Sequence, residues 1–236
     1  MTSLESGGGW SFEELVNPDH TALIVVDMQK DYCSKDYGFC KLGFSVDAVQ
    51  AMAPRLAKFI RASRESGVLI IYTRNQHSTF TDTTSWKRFG AGKLGLARKN
   101  SEGENWFEDY EEFTPAKEDY VIFKHRYNAF LGTDLEIVLK AKKIETILLT
   151  GTATNVCVES TAREGAMRDF NVVLVGDCTS TYDPKLQEAT ERNVANHFGI
   201  VSSSEKISRA WNAKTTPRNE LSQIEQKTDS KLGQKV

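Results

Sequence analysis

Six short apolar, β-branched runs punctuate the chain: TALIVV at 21–26, GVLIIYT at 67–73, YVIF at 120–123, IETILLT at 144–150, NVVLVG at 171–176 and a weaker GIVSSS at 199–204. They are continuous rather than alternating, which is the pattern of strands covered on both faces. Segments of helical spacing lie between them. In VDAVQAMAPRLAKFIRASRESG the positions Val46, Val49, Met52 or Ala53, Leu56, Phe59 and Ile60 fall on one stripe that ends at Gly67, with Pro54 a point of possible kinking. TDLEIVLKAKKI opens with Thr133 three residues before Glu136, a capping-box spacing, and aligns Leu135, Val138 and Leu139. NVCVESTAREGAMRDF and PKLQEATERNVANHF predict two further helices. Strand and helix in alternation imply right-handed crossovers and a Rossmann-like α/β fold, three layers around a mainly parallel sheet.

Two stretches depart from the alternation. Residues 74–118 form a long polar excursion holding Trp86 and Trp106, and a loop of that length inside a compact domain is usually a lid or a binding device. Within it, FGAGKLG lacks the spacing of a phosphate-binding loop and follows no strand directly. From Lys214 onward the chain is polar and poor in aromatics, so one domain is expected over 1–213 and a disordered tail over 214–236.

Bulk properties narrow the classes of function. With 39% hydrophobic and 26% charged residues and a formal net charge of −2, the composition points to neither nucleic acid nor an anionic membrane as partner. No stretch is apolar for long enough to span a bilayer and the first residues lack a signal-peptide pattern, so a cytoplasmic, soluble protein is expected. The four cysteines, Cys33, Cys40, Cys157 and Cys178, include no CxxC pair, so neither a disulfide framework nor a zinc knuckle is signalled.

Ligands of open parallel sheets bind outside the carboxyl ends of the strands. Three chemically capable residues stand at such ends: Asp27, Lys124 and Cys157. Each alone has a plain structural explanation, as a helix cap, a solvated lysine or a small packing residue. Together they suit acyl transfer. A cation and a helix N-terminus favour the thiolate of Cys157, Asp27 can move protons, and backbone N–H groups around Ala153 and Cys157 can hold an oxyanion.

ALIVVDMQKDY, FKHRYNAFLGTDL and LLTGTATNVCVESTAREGAMRDFNVVLVGDCTSTYD, three stretches in this order over residues 20–205, resemble the signatures of the isochorismatase-like cysteine hydrolases. The resemblance implies a six-stranded parallel sheet, a catalytic Asp27, Lys124 and Cys157, a cis peptide between Thr152 and Ala153, and an oxyanion pocket made by the N–H groups of Ala153 and Cys157. It also implies a homodimer or homotetramer. The nicotinamidase branch has a DxHxxxH-like metal motif where this chain reads TRNQHSTFTD, with His77 alone, so no metal and no cofactor are expected. Isochorismatases proper lack the nucleophilic cysteine. A biuret-hydrolase glutamine is replaced by Val194, four residues before Phe198.

The ureidoacrylate and N-carbamoyl amidohydrolases remain the most similar branch, with a small ureido, carbamoyl or amide substrate. Gln29, Arg126, Tyr127, Asn128, Asn155, Trp86 and Trp106 are the substrate-contact candidates, Arg126 as the partner of a carboxylate or as a member of a structural ion pair. Biuret- or triuret-type and nicotinamidase-like amidases, or a noncatalytic binding protein on the same fold, are the alternatives. A flavodoxin-like nucleotide binder would need a glycine-rich loop after the first strand, where VVDMQKDY stands.

Overall fold

The computed structural model describes residues 10–88 and 108–215. The six apolar runs form six strands: β1 (Thr21–Val26), β2 (Leu69–Asn75), β3 (Tyr120–Lys124), β4 (Thr146–Thr152), β5 (Asn171–Ser180) and β6 (Ile200–Ser202). All pair in parallel, in the order β3-β2-β1-β4-β5-β6. The chain builds outward from β1 through β2 to β3, then returns to place β4 on the other side of β1. The switch point of the sheet therefore lies between the carboxyl ends of β1 and β4.

Continuous apolar runs are required because both faces of the sheet are covered. Every residue of β1 is buried, and its side chains divide by parity. Leu23 and Val25 join a core with the helices Asp47–Glu65 and Ser204–Thr215, while Ala22, Ile24 and Val26 join the opposite core with Leu135, Leu139, Val158 and Ala162. Each aliphatic side chain so buried is worth roughly 1.5–3 kcal/mol, which leaves β1 no tolerance for a register slip. Helix Asp47–Glu65 runs unbroken through Pro54 and buries the predicted stripe from Val49 to Ile60.

Three sequence expectations change. The Thr133/Glu136 capping box does not form. Asp134 is the N-cap of helix Leu135–Ala141, Thr133 Oγ1 accepts the Leu135 N–H, and Glu136 turns to Lys140 and Arg168. Charge attraction on the helix surface outcompetes the reach back to the cap. The last helix runs to Thr215, two residues past the expected domain boundary. Strand β2 runs to Asn75, two residues beyond the apolar run, because the ladder with β3 continues through Arg74 and Asn75. FGAGKLG, Trp106 and residues 216–236 lie outside the described residues, and no described helix is long and apolar enough to cross a membrane.

Candidate active site

The chain must leave β1 abruptly for Asp27 to face the strand ends. Asp27 has φ +49°, in the left-handed region that Asp tolerates better than most residues. Its N–H bonds to the Thr73 carbonyl at 3.2 Å, and Gln29 N–H bonds back to the Asp27 carbonyl at 2.8 Å. Opposite it, Gly151 has φ +96°, and a Cβ there would lie 2.1 Å from the Val26 carbonyl oxygen. Only glycine lets the end of β4 approach β1 this closely. The Thr152–Ala153 peptide that follows is cis, as the family resemblance implied. A π-helical turn, Thr154–Val158, then carries Cys157 into helix Glu159–Met167.

Lys124, the last residue of β3, closes the arrangement. Its Nζ lies 2.7 Å from Asp27 Oδ2 and 3.4 Å from Cys157 Sγ, and it donates to the Arg126 carbonyl at 3.1 Å. Lys124 is 0% exposed, Asp27 1% and Cys157 7%. A lysine this deep is rarely found without a partner, and here it has three. Asp27 Oδ1 accepts from the Thr73 hydroxyl at 2.7 Å, so the carboxylate is held on both oxygens rather than capping helix Lys30–Cys33, whose N-cap is Gln29.

Electrostatics set the resting protonation state. Burial pushes the Cys157 thiol up to about 12; Lys124 opposes this, and Asp27 adds to it. Lys124 favours the thiolate, as expected, but burial outweighs its pull in the free protein. Burial would lower the Lys124 pKa, but attraction to Asp27 and then Cys157 raises it, so the lysine stays charged. The resting site is a thiol beside an ammonium–carboxylate pair.

The other candidates pack against one another or hold backbone in place. Arg126 donates to the carbonyls of His125, at 2.5 Å, and Thr81, at 3.2 and 3.3 Å, and its guanidinium sits 4.6 Å from the Trp86 ring. Among the described residues it forms no ion pair with a carboxylate. Trp86 also stacks on His77 and touches Tyr127, with ring centroids 5.4 and 5.0 Å apart. Arg126, Tyr127 and Trp86 thus pack as one cluster.

Gln29, fully buried, holds the backbone of Asn75: its Oε1 accepts the Asn75 N–H at 2.7 Å and its Nε2 donates to the Asn75 carbonyl at 3.1 Å. Asn128 Oδ1 accepts the Phe130 N–H at 2.8 Å, and Asn155 Oδ1 accepts the Thr181 hydroxyl at 2.7 Å. His77 Nδ1 pairs with Asp82 at 2.7 Å, and among the described residues no cluster of three or more His, Cys, Asp or Glu is placed to hold a metal.

Sequence reading missed Thr73, Asn75 and Tyr32. Asn75 Nδ2 donates to the Tyr32 hydroxyl at 2.8 Å. Burial, then Asp27 and Cys157 nearby, hold that phenol well above its ordinary range. The polar pair Thr73 and Asn75, ending an otherwise apolar strand on the same parity, was the signal available.

Known proteins resemble this chain in sequence and in fold. The isochorismatase domain matches residues 21–206. The ureidoacrylate amidohydrolase RutB of Methylorubrum extorquens is 34% identical over 199 residues, 78% of this chain and 79% of the relative. RutB of Klebsiella variicola is 31% identical over 211 residues, 84% of this chain and 89% of the relative. Among solved structures, a cysteine hydrolase from Pseudomonas syringae pv. phaseolicola superposes with a TM-score of 0.72 at 27% identity, covering 84% of this chain and 94% of that one. N-carbamoylsarcosine amidase from Thermoplasma acidophilum gives 0.63 at 26% identity, covering 78% and 96%.

Proposed function

Because this chain belongs to the isochorismatase domain family, we propose that it is a cysteine-dependent amidohydrolase that cleaves the C–N bond of a small ureido or carbamoyl acid. The observation that carries the reading is the buried Lys124 ammonium in contact with both the Asp27 carboxylate, at 2.7 Å, and the Cys157 sulfur, at 3.4 Å. The names of the relatives, ureidoacrylate amidohydrolase and N-carbamoylsarcosine amidase, support the substrate class.

The resting thiol sets the order of events. Asp27 takes the Cys157 proton as sulfur attacks the carbonyl carbon, so charge moves from carboxylate to substrate oxygen without a free thiolate in the resting site. Lys124 remains positive beside both groups and offsets the charge as it shifts. The N–H groups of Ala153 and Cys157 receive the oxyanion. Collapse breaks the C–N bond, Asp27 returns the proton to the departing nitrogen, and a thioester-type carbamoyl-enzyme is left. Water, giving its proton to Asp27, attacks that carbonyl, and the sulfur leaves and recovers the proton.

Arg126 supplies selectivity. Its guanidinium is pinned by carbonyls and by Trp86 rather than neutralised by a carboxylate, so a substrate carboxylate completes its pairing. The test is ammonia release from a panel of ureido acids, N-carbamoyl amino acids, biuret, nicotinamide and simple amides. Ureido or carbamoyl acids are expected to be turned over fastest. Preference for an uncharged amide or for biuret would replace the substrate assignment.

A further inference from the structure

Thr161 is 0% exposed and lies in the first turn of helix Glu159–Met167, one helical turn beyond Cys157. Its hydroxyl has a single proton, which it donates to the Cys157 carbonyl at 2.7 Å. The same oxygen accepts the N–H of Ala129 at 3.1 Å. Both partners are main-chain groups, one able only to accept and the other only to donate, so the direction of each bond is fixed. A threonine that bonds back to the preceding helical turn is a local device. The bond from Ala129 is not local, because it comes from the segment that joins β3 to helix Leu135–Ala141. The contacts then close a ring. Lys124 Nζ meets Cys157 Sγ at 3.4 Å and the Arg126 carbonyl at 3.1 Å, and the same segment returns from Ala129 through the Thr161 hydroxyl to the backbone of Cys157. The Ala129 carbonyl is held in turn by the Thr133 hydroxyl, at 2.5 Å. Ala129 and Cys157 lie in one apolar core, where an N–H or carbonyl left without its partner is costly.

We infer that Thr161 is a positioning residue for the nucleophile: its hydroxyl sets how closely Cys157 stands to Lys124 and ties the nucleophile's turn to the segment that carries Arg126. The inference rests on the reading of Cys157 as the nucleophile. The turn that carries Cys157 is π-helical, a rare geometry found mostly at functional sites, and Thr161 joins it to the exit of β3. Displacing a reacting group by about 1 Å can cost about a hundredfold in rate. Without the hydroxyl, the Cys157 carbonyl and the Ala129 N–H lose their common partner, and the two sides of the ring are free to part. The sulfur then loses part of the ammonium's pull, and a smaller fraction of it is thiolate at a given pH.

The experiment compares Thr161→Val, which keeps the shape and loses the hydroxyl, with Thr161→Ser, which keeps the hydroxyl and loses a methyl group. The full chain is alkylated with iodoacetamide through the alkaline range, and labelling of Cys157 is followed by mass spectrometry, with the half-buried Cys40 as internal reference. Thermal unfolding shows which variants are folded. In Thr161→Val, labelling of Cys157 relative to Cys40 is expected to fall by about tenfold, the value of one hydrogen bond, and its rise with pH to move to higher pH. Thr161→Ser is expected to recover most of the rate and the wild-type pH profile. A folded Thr161→Val whose rate and profile are unchanged, or whose rate increases, makes the hydroxyl a fold contact alone and overturns the proposal. Equal losses in both variants assign the effect to the methyl group and overturn it too, as does a wild-type Cys157 that takes no label. If Thr161→Val does not fold, Thr161→Ala takes its place, since it differs from Thr161→Ser by the hydroxyl alone. Labelling needs no substrate, so an error in the substrate assignment does not touch the result. An error in the nucleophile reading shows separately, as ammonia release that survives Cys157→Ser.

Discussion

The Lys124 ammonium stands 2.7 Å from the Asp27 carboxylate, with both side chains sealed from solvent. Cys157 Sγ lies 3.4 Å from the same ammonium, so Lys124 touches both other groups. Cys157→Ser is expected to lower kcat on the order of a thousandfold or more, because an alcohol is harder to deprotonate than a thiol. Asp27→Asn, which removes the proton carrier, should cost nearly as much. Both are read as steady-state ammonia release; near-wild-type turnover in either would contradict the mechanism.

The same protonation state makes stability pH-dependent. Burial raises the folded pKa of Cys157 from 9.0 to about 12, so the folded chain holds this proton more tightly than the unfolded one. The resulting stabilisation is complete below pH 9 and is lost as pH rises toward 12, at about 1.4 kcal/mol per pH unit for one group. Cys157→Ala removes this titration while leaving the other buried thiols. Urea unfolding across the alkaline range should therefore fall more steeply for the wild type than for the variant. Parallel curves would argue that the thiol does not titrate as described.

Arg126→Gln is expected to raise KM for carboxylate-bearing substrates by about ten- to a hundredfold, the range for a charged hydrogen-bonded pair. The corresponding carboxamide substrates should be affected little. Equal losses on both would make Arg126 a structural tie between residues 81 and 125.

Gly151→Ala tests the closeness of β1 and β4. The new Cβ would meet the Val26 carbonyl at 2.1 Å, on a backbone with φ +96°, so strand separation and strain act together. A loss of about 3 kcal/mol or more is expected in denaturant unfolding. A change below about 0.5 kcal/mol, the size of a surface substitution, would show that the strand ends can part without cost.

His77 is already engaged with Asp82 at 2.7 Å and stacked on Trp86. Dialysis against a strong chelator should therefore leave turnover unchanged. Loss of activity restored by zinc or iron would assign this pair a metal-binding part.

What the sequence determined by itself is what burial forces onto local composition. A strand covered on both faces must be apolar throughout, so the six runs and the residues that end them, Asp27 and Lys124 among them, are visible as breaks in hydrophobicity. The Cys157 loop is visible in the same way, as a polar, glycine-containing exit from β4. Only the tertiary structure decided how these ends combine. Sheet order brings β4 against β1, and β3 lies two strands away on the other side, yet Lys124 is long enough to reach across to both Asp27 and Cys157. The thiol's protonation depends on the balance of desolvation against neighbouring charge, which no spacing records. Gln29, Asn75 and Tyr32 form a network because Gln29 and Asn75 are 46 residues apart and meet only when β1 and β2 pair; hydrogen bonds of that reach leave no periodic trace in the chain.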